Sequence, residues 1–343
     1  MKVLVLRLDH LGDVLLTTPL MRALACGGHS VDVLVQDSLK PLFLGSASVR
    51  DCFGIGEIAP AFPSRWWQLA RWLRNSSYDV LILAYAKDRR LCLASMFSGI
   101  GRRIAMWGGL WGRLTGHECL TSHILDNPRP VSEILLECSR AMSLPDQGLK
   151  PDFPLASGER DEIWALLPAS FRGRRIIGIH PGSAGNACNL PSRIYSDLGV
   201  LLLRETDCVL VITGTKGEEE LLSAWPEELL GSERVWLSMG KLGLRELACV
   251  IAEMKVFVCS STGPLHVASA VGTATVSPFC PSVPLNAAIW GNVGAPSRVV
   301  EPQTCPRSDG TLTSCDFRGQ ISAEQLLGRV QELLSAMTPA NDL

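Results

Sequence analysis

Two short glycine-bearing segments hold the residue types best suited to chemistry: Leu11-Gly12-Asp13 near the start, and Ser261-Thr262-Gly263-Pro264-Leu265-His266 near the end. Each joins an apolar run to a helical pattern. Asp13 is a carboxylate at such a junction, placed to take a proton from a substrate hydroxyl. A Gly-Asp pair on its own is also what a helix cap looks like. Gly12 lets backbone and substrate approach closely, because a Cβ there would obstruct them. In the later segment, Thr262 and the backbone around Gly263 can donate hydrogen bonds to diphosphate oxygens. The positive end of the following helix favours the same charge. Pro264 suits a first helical turn, and His266 either contacts a ligand or braces the loop. Two such junctions in separate halves point to a substrate cleft between two α/β domains.

The elements that must position these residues are legible as apolar runs alternating with helical patterns. The runs 2–7, 31–35 and 78–83 read as buried parallel strands, with a helix over 14–25 between the first two. The stretch 60–74 turns helical towards its end, and its Trp66, Trp67 and Trp72 read as packing residues. A polar, proline-bearing segment, 143–158, reads as a linker. Strands then resume at 175–180, 208–213, 234–238, 255–260 and 274–278. Helices are expected over 159–167, 193–204, 244–253, 265–270 and 322–337. The repetition predicts domains at 1–158 and 159–343, with the last helix packing back on the first.

Composition narrows the function classes. The 343 residues suffice for two domains, and 32 Lys and Arg against 34 Asp and Glu give a formal charge of −2. That balance offers nothing to the phosphate backbone of a nucleic acid. The 12 cysteines accompany no export signal, because Arg7 and Asp9 interrupt the first apolar run, so reduced thiols in the cytoplasm are expected. No apolar run is long enough to span a bilayer. The six histidines form no ligand series with the cysteines, and the first loop lacks GxGxxG, so neither a metal nor a nicotinamide cofactor is expected. Cys305 and Cys315 read as incidental thiols.

Four ordered blocks carry a family resemblance. Leu8-Asp9-His10-Leu11-Gly12-Asp13-Val14-Leu15-Leu16-Thr17-Thr18-Pro19 resembles the amino-terminal signature of the heptosyltransferases, glycosyltransferase family 9. His180-Pro181-Gly182-Ser183-Ala184-Gly185-Asn186, then Thr213-Gly214-Thr215 with Glu218, then Ser261 to Ala268 resemble the later blocks in the same order. The resemblance implies a glycosyltransferase B fold, two Rossmann-like domains facing a central cleft, and a metal-independent, inverting sugar transfer without a cofactor. It implies ADP-heptose as donor and a lipopolysaccharide core as acceptor, at the cytoplasmic face of the inner membrane with a peripheral contact. Other nucleotide sugars and acceptors occur in the family, and a non-catalytic nucleotide-sugar-binding protein is a further reading.

By the same resemblance Asp13 is the general base; read from the residues themselves, Gly12, Thr17, Thr18, Lys87, Arg89 and Arg90 are expected as acceptor contacts. His180, Pro181, Gly182, Ser183, Thr213, Gly214, Thr215, Glu218, Ser261, Thr262, Gly263, Pro264 and His266 are donor contacts. Thr17 and Thr18 also suit bonds within the helix, the Lys87 to Arg90 cluster a solvated loop, and Glu218 a helix start. Two positions depart from the family pattern. Cys188 stands where many relatives carry Lys or Arg, with Arg193 a compensating cation one turn on, and Ser261 stands where better-known members carry Asp. Both favour a divergent branch.

Overall fold

A computed structural model describes residues 1–60, 64–121, 127–183, 185, 187–303 and 317–337. The chain divides into two compact units, Met1–Pro154 and Leu155–Leu343. The first unit's strands are β1 (Lys2–Leu6), β2 (Ser30–Val35), β3 (Asp51–Gly54), β4 (Val80–Leu83), β5 (Arg102–Met106) and β6 (Glu118–Leu120). They form one parallel sheet in the order β3-β2-β1-β4-β5-β6. The second unit's are β7 (Ile176–His180), β8 (Val209–Ile212), β9 (Val235–Leu237), β10 (Val256–Cys259), β11 (Ala274–Pro278) and β12 (Ser297–Val300). Read from its β9 edge, that sheet runs β9-β8-β7-β10-β11-β12, the same winding again.

Helices cover both sheets, so the central strands are buried on both faces and read as unbroken apolar runs. Val3, Leu4, Val5 and Ile82 are fully buried in the first unit, as are Ile177, Ile179, Val211 and Val258 in the second. In such a sheet the chain leaves the central strand to one side, then crosses back and proceeds to the other. The loops after the first and fourth strands diverge there, and ligands bind beyond the carboxyl ends of those two strands. Asp13 follows β1, and the Ser261 segment follows β10, whose neighbour is β7.

The single helix expected over 14–25 is two, Leu11–Leu15 and Thr18–Cys26. Pro19 is the cause, since it has no N–H for the Leu15 carbonyl. The Thr18 hydroxyl donates to that carbonyl instead at 2.7 Å, and the Thr17 hydroxyl donates to Asp13 O at 2.8 Å. The sequence also failed to announce β3, β5, β6 and β12.

The unit boundary falls at 154/155, earlier than the 158/159 read from composition. Arg22 explains the difference: it pairs with Asp152 at 2.5 Å and donates to the carbonyls of Gln147, Gly148 and Lys150. Most of the connecting segment is thereby fastened to the first unit, and the next helix, Ser157–Leu166, belongs to the second through the Arg245–Glu159 ion pair. The last helix, Ala323–Met337, spends its apolar face on its own unit. Leu326, Leu327, Val330 and Leu333 join the core built on β7, β8, β10 and β11, and Glu332 pairs with Arg298 of β12.

Gly178 keeps β7 in place. A Cβ there would press into the Phe257 ring at 2.6 Å and into the Met254 thioether. Overpacking a filled core costs about 1–3 kcal/mol, so Gly178→Ala is expected to lower stability by that amount in a urea titration, and an unchanged midpoint would contradict the packing described.

Candidate functional site

In the first unit the site grows from the residue that follows β1. Arg7 is 3% exposed, and its guanidinium is held from three sides. Nη1 donates to Ala84 O, just past β4, at 2.9 Å, and Nη2 donates to Asp13 Oδ1 at 2.7 Å. Nε lies 2.9 Å from Asp9 Oδ2, an ion-pair contact without hydrogen-bond alignment. The guanidinium carbon also sits 5.3 Å from the centre of the Tyr85 ring, and the Lys87 ammonium lies 5.5 Å from the same ring. Trp107, just past β5, meets Tyr85 edge-on at 6.1 Å. The carboxyl ends of β1, β4 and β5 thus bring together Asp9, Asp13, Arg7, Tyr85, Lys87 and Trp107.

Asp13 lies on the turn Leu11–Leu15, 19% exposed, with Oδ1 fixed by Arg7; among the described residues Oδ2 takes no hydrogen bond. One oxygen is anchored and the other faces outward, an arrangement suited to receiving a proton from a positioned hydroxyl. Asp9 shares the guanidinium. Burial pushes its carboxyl above the usual value, Arg7 opposes that, and the negative charge of Asp13 adds to it.

The other first-unit candidates divide. Gly12 is buried beside Asp13. Lys87, Arg89 and Arg90 are exposed, and Asp88 caps the helix Arg89–Met96 by accepting from Arg90 N at 2.8 Å. Thr17 and Thr18 are buried, and Thr18 Oγ1 also accepts from Asp152 N at 2.7 Å. Both hydroxyls bond to carbonyls within the helical turns, the Thr18 one to the carbonyl that Pro19 leaves open.

In the second unit, three loops converge on Gly182. Ser260 Oγ, after β10, donates to Gly182 O at 3.2 Å. The Glu218 carboxylate, after β8, occupies the space a Gly182 Cβ would fill. Asn189 Nδ2 donates to Pro181 O at 2.8 Å, and Tyr195 in turn donates to Asn189 Oδ1 at 2.8 Å. His180 Nδ1 and Thr213 Oγ1 share a hydrogen bond of 3.0 Å. Burial holds the His180 imidazole below its ordinary value, with Glu218 opposing. Thr215 donates to Glu218 Oε2 through both its N–H and its hydroxyl at 2.8 Å, so Glu218 is first a helix-start partner. Gly214 lies under Met239, and Ser183 is half-buried. Ala184 and Asn186 lie outside the described residues, as do Cys305 and Cys315.

The helix Gly263–Val271 starts at the end of β10 with Pro264 in its first turn and Thr262 at its cap. The Thr262 side chain makes no capping bond, and Ser261 is half-buried beside it. That leaves amide donors of the first turn for an anionic ligand. His266 is buried and meets Trp290 edge-on at 6.4 Å. The two departures resolve structurally. Cys188 is buried in the second unit's core, and Arg193 is 83% exposed, 3.6 Å from Asp197 along its own helix. Lys216, next to Thr215, is exposed and has no acidic partner among the described residues.

Sequence reasoning missed Arg7, Tyr85, Trp107, Asn189 and Lys216. The signal for Arg7 was present, since a cation directly after a fully apolar strand needs a buried counter-charge. Tyr85 and Trp107 carried no such signal. Cys26, Cys52, Cys92, Cys119, Cys138, Cys208, Cys249 and Cys259 are free thiols, and no cluster of His, Cys, Asp or Glu among the described residues is arranged to hold a metal. Among the described residues no helix is long and apolar enough to cross a membrane.

Comparison with known proteins bears on this arrangement. The profile of glycosyltransferase family 9 (heptosyltransferase) matches residues 66–305. A Haemophilus influenzae protein provisionally described as a glycosyltransferase is 37% identical over 103 residues, 30% of each chain. Lipopolysaccharide heptosyltransferase 2 of Escherichia coli is 26% identical over 303 residues, covering 83% of this chain and 84% of its own. The solved structure of the E. coli ADP-heptose lipopolysaccharide heptosyltransferase II superposes with a TM-score of 0.78 at 22% identity, covering 98% of this chain and 99% of that one. The fold is that of the glycosyltransferase B class, two Rossmann-like α/β units.

The buried His180 gives a pH dependence whose sign is fixed. With its folded-state value depressed, the unfolded chain takes up the proton first as pH falls through about 6.5. Stability present above that pH is lost below it. The melting temperature is expected to fall on acidification from pH 7 to 6, with the His180 ring still neutral by NMR; a His180 resonance titrating above 6.5 would contradict the burial.

Proposed function

The chain belongs to glycosyltransferase family 9, the heptosyltransferases, and on that premise we propose that it is an inverting glycosyltransferase moving heptose from ADP-heptose to a lipopolysaccharide core. The first unit takes the acceptor and the second the donor. The observation that carries the reading is the Arg7-anchored Asp13 with its outward oxygen, standing where a doubly wound sheet binds ligands.

In this mechanism Asp13 Oδ2 accepts the proton of the acceptor hydroxyl. The hydroxyl oxygen forms its bond to the anomeric carbon from the face opposite the diphosphate. The bond from that carbon to the diphosphate oxygen breaks, the nucleoside diphosphate leaves with the electron pair, and the configuration inverts. Arg7 fixes the carboxylate, so the base works by placement more than by strength. On the second unit, the first-turn amides around Gly263 and the Thr262 hydroxyl receive the diphosphate, and Lys216 supplies the positive charge that Cys188 does not. The loops meeting at Gly182 frame the rest of the donor. Lys87, Arg89 and Arg90 face anionic groups of the acceptor. The metal-independent course follows the family resemblance, and a lipid-linked acceptor places the enzyme at the cytoplasmic face of the inner membrane as a peripheral protein.

A second reading, a family member with another nucleotide sugar or acceptor, is favoured by the buried thiol of Cys188 and by Ser261 in place of a carboxylate. Calorimetry against ADP-, UDP-, GDP- and CMP-sugars separates the two. Selective binding of ADP-heptose supports the first, and selectivity for another donor replaces the substrate while keeping the fold.

Removing a general base typically costs about 10²–10⁴-fold in turnover. Asp13→Asn is expected to lower kcat by that factor with donor affinity nearly unchanged, and Asp9→Asn to lose much less. A dead Asp9→Asn beside an active Asp13→Asn would transfer the role to Asp9. Lys216→Ala is expected to weaken donor binding about tenfold to 100-fold, the worth of one charge-assisted phosphate contact; unchanged affinity would remove Lys216 from the donor site.

A further inference from the structure

Three helices of the first unit, Arg65–Asn75, Arg89–Met96 and Gly109–Leu114, pack side by side and leave an unusual outer surface. Trp67 is 68% exposed, Leu110 70% and Leu114 65%, with Leu93, Met96, Phe97 and Trp111 exposed among them. Trp67 and Phe97 stack at 5.6 Å across the first two helices. Below them a groove of about 270 Å³ opens between walls that include Trp66, Leu93 and Arg90. Single exposed apolar side chains need no explanation, but a contiguous set of this size marks a surface that something covers.

The charge on the same helices says what covers it. They carry Arg65, Arg71, Arg74, Arg89, Arg90 and Arg113 and not one Asp or Glu, in a chain whose formal charge is −2. Arg71 and Arg74 are exposed on the stripe that carries Trp67, at spacings of four and seven residues. Most arginines elsewhere in this unit pair with acids, among them Arg22 with Asp152, Arg50 with Asp32, Arg102 with Glu118 and Arg129 with Glu133. Among the described residues, Arg71, Arg74, Arg89 and Arg90 have no acidic partner within ion-pair distance. A twofold contact with a second copy would set these arginines against one another. A surface of aromatic and leucine side chains rimmed by arginine matches a sheet of anionic headgroups over hydrocarbon.

We propose that this three-helix face docks on an anionic phospholipid bilayer, with Trp67, Leu110 and Leu114 entering the interface and Arg71, Arg74 and Arg113 meeting the headgroups. Lys87, Arg89 and Arg90 stand where the face adjoins the end of β4, so an acceptor carried in that bilayer is presented towards Asp13. The proposal rests on the lipid-linked acceptor of the previous section for its purpose, while its test needs neither donor nor acceptor, so the two can fail separately.

The test is co-sedimentation of the full chain with vesicles of equal parts phosphatidylcholine and phosphatidylglycerol, against vesicles of phosphatidylcholine alone. Binding is expected only with phosphatidylglycerol and is expected to weaken as salt rises. Each basic residue near such a surface is worth on the order of a fivefold change in affinity. Arg71→Ala with Arg74→Ala is therefore expected to weaken binding about 20-fold, and Trp67→Ser with Leu114→Ser by about tenfold or more. Donor binding by calorimetry stays unchanged in both, which separates lost docking from lost folding. Absence of vesicle binding, or equal binding by the wild type and both variants, overturns the proposal. So does a dimer in ultracentrifugation that Trp67→Ser dissociates while vesicles are ignored.

Discussion

A guanidinium buried at the end of β1 is the constraint on which the site depends. Arg7 cannot shed its proton, and a buried charge must find counter-charge and hydrogen bonds within reach. It finds them on two segments: Asp9 and Asp13 just after β1, and the Ala84 carbonyl with the face of Tyr85 just after β4. Removing one partner of such a pair typically costs about 3–5 kcal/mol, because the other charge is left stranded. The same contacts orient one oxygen of Asp13, and the second takes no hydrogen bond among the described residues. What stabilises the strand end also aims the carboxylate.

The winding of the sheet supplies the place for that cluster. In both units the chain leaves the central strand in one direction and returns to build in the other, so the loops after the first and fourth strands diverge. In the first unit the divergence holds a carboxylate and a guanidinium. In the second it holds backbone donors: a helix start whose Thr262 side chain makes no cap, and a glycine at 182 kept bare by Glu218. One architecture thereby carries an arginine-paired carboxylate in one unit and an uncapped helix start in the other. The local sequence after each strand decides which.

Much of this was legible in the residues. Long apolar runs such as Val3 to Leu6 and Val256 to Cys259 are strands because burial on both faces removes the polar alternation. Asp13 and the Thr262-Gly263 turn stood out because acid and glycine interrupt such runs at their ends. The strands that escaped notice lack that mark. β3 and β6 are short edge strands with exposed first residues, and β5 opens with Arg102 and Arg103, whose guanidiniums reach Glu118 and backbone carbonyls. The role of Thr17 and Thr18 was hidden for another reason. Both hydroxyls bond to nearby carbonyls, Thr18 to the one Pro19 leaves open, and a sequence motif shows the residues without showing which bond is missing. Tyr85 and Trp107 became site residues only through the adjacency of β1, β4 and β5.

The central claim is that Arg7 acts through Asp13, and a double-mutant cycle on turnover tests it most directly. Release of nucleoside diphosphate from ADP-heptose with a lipopolysaccharide-core acceptor would be followed for the wild type, Arg7→Lys, Asp13→Asn and the pair, with each variant's melting temperature recorded. If Arg7 works by holding Asp13, its substitution lowers kcat in the wild type and has little further effect once Asp13 is Asn. Losses that multiply independently in the double variant would contradict the account.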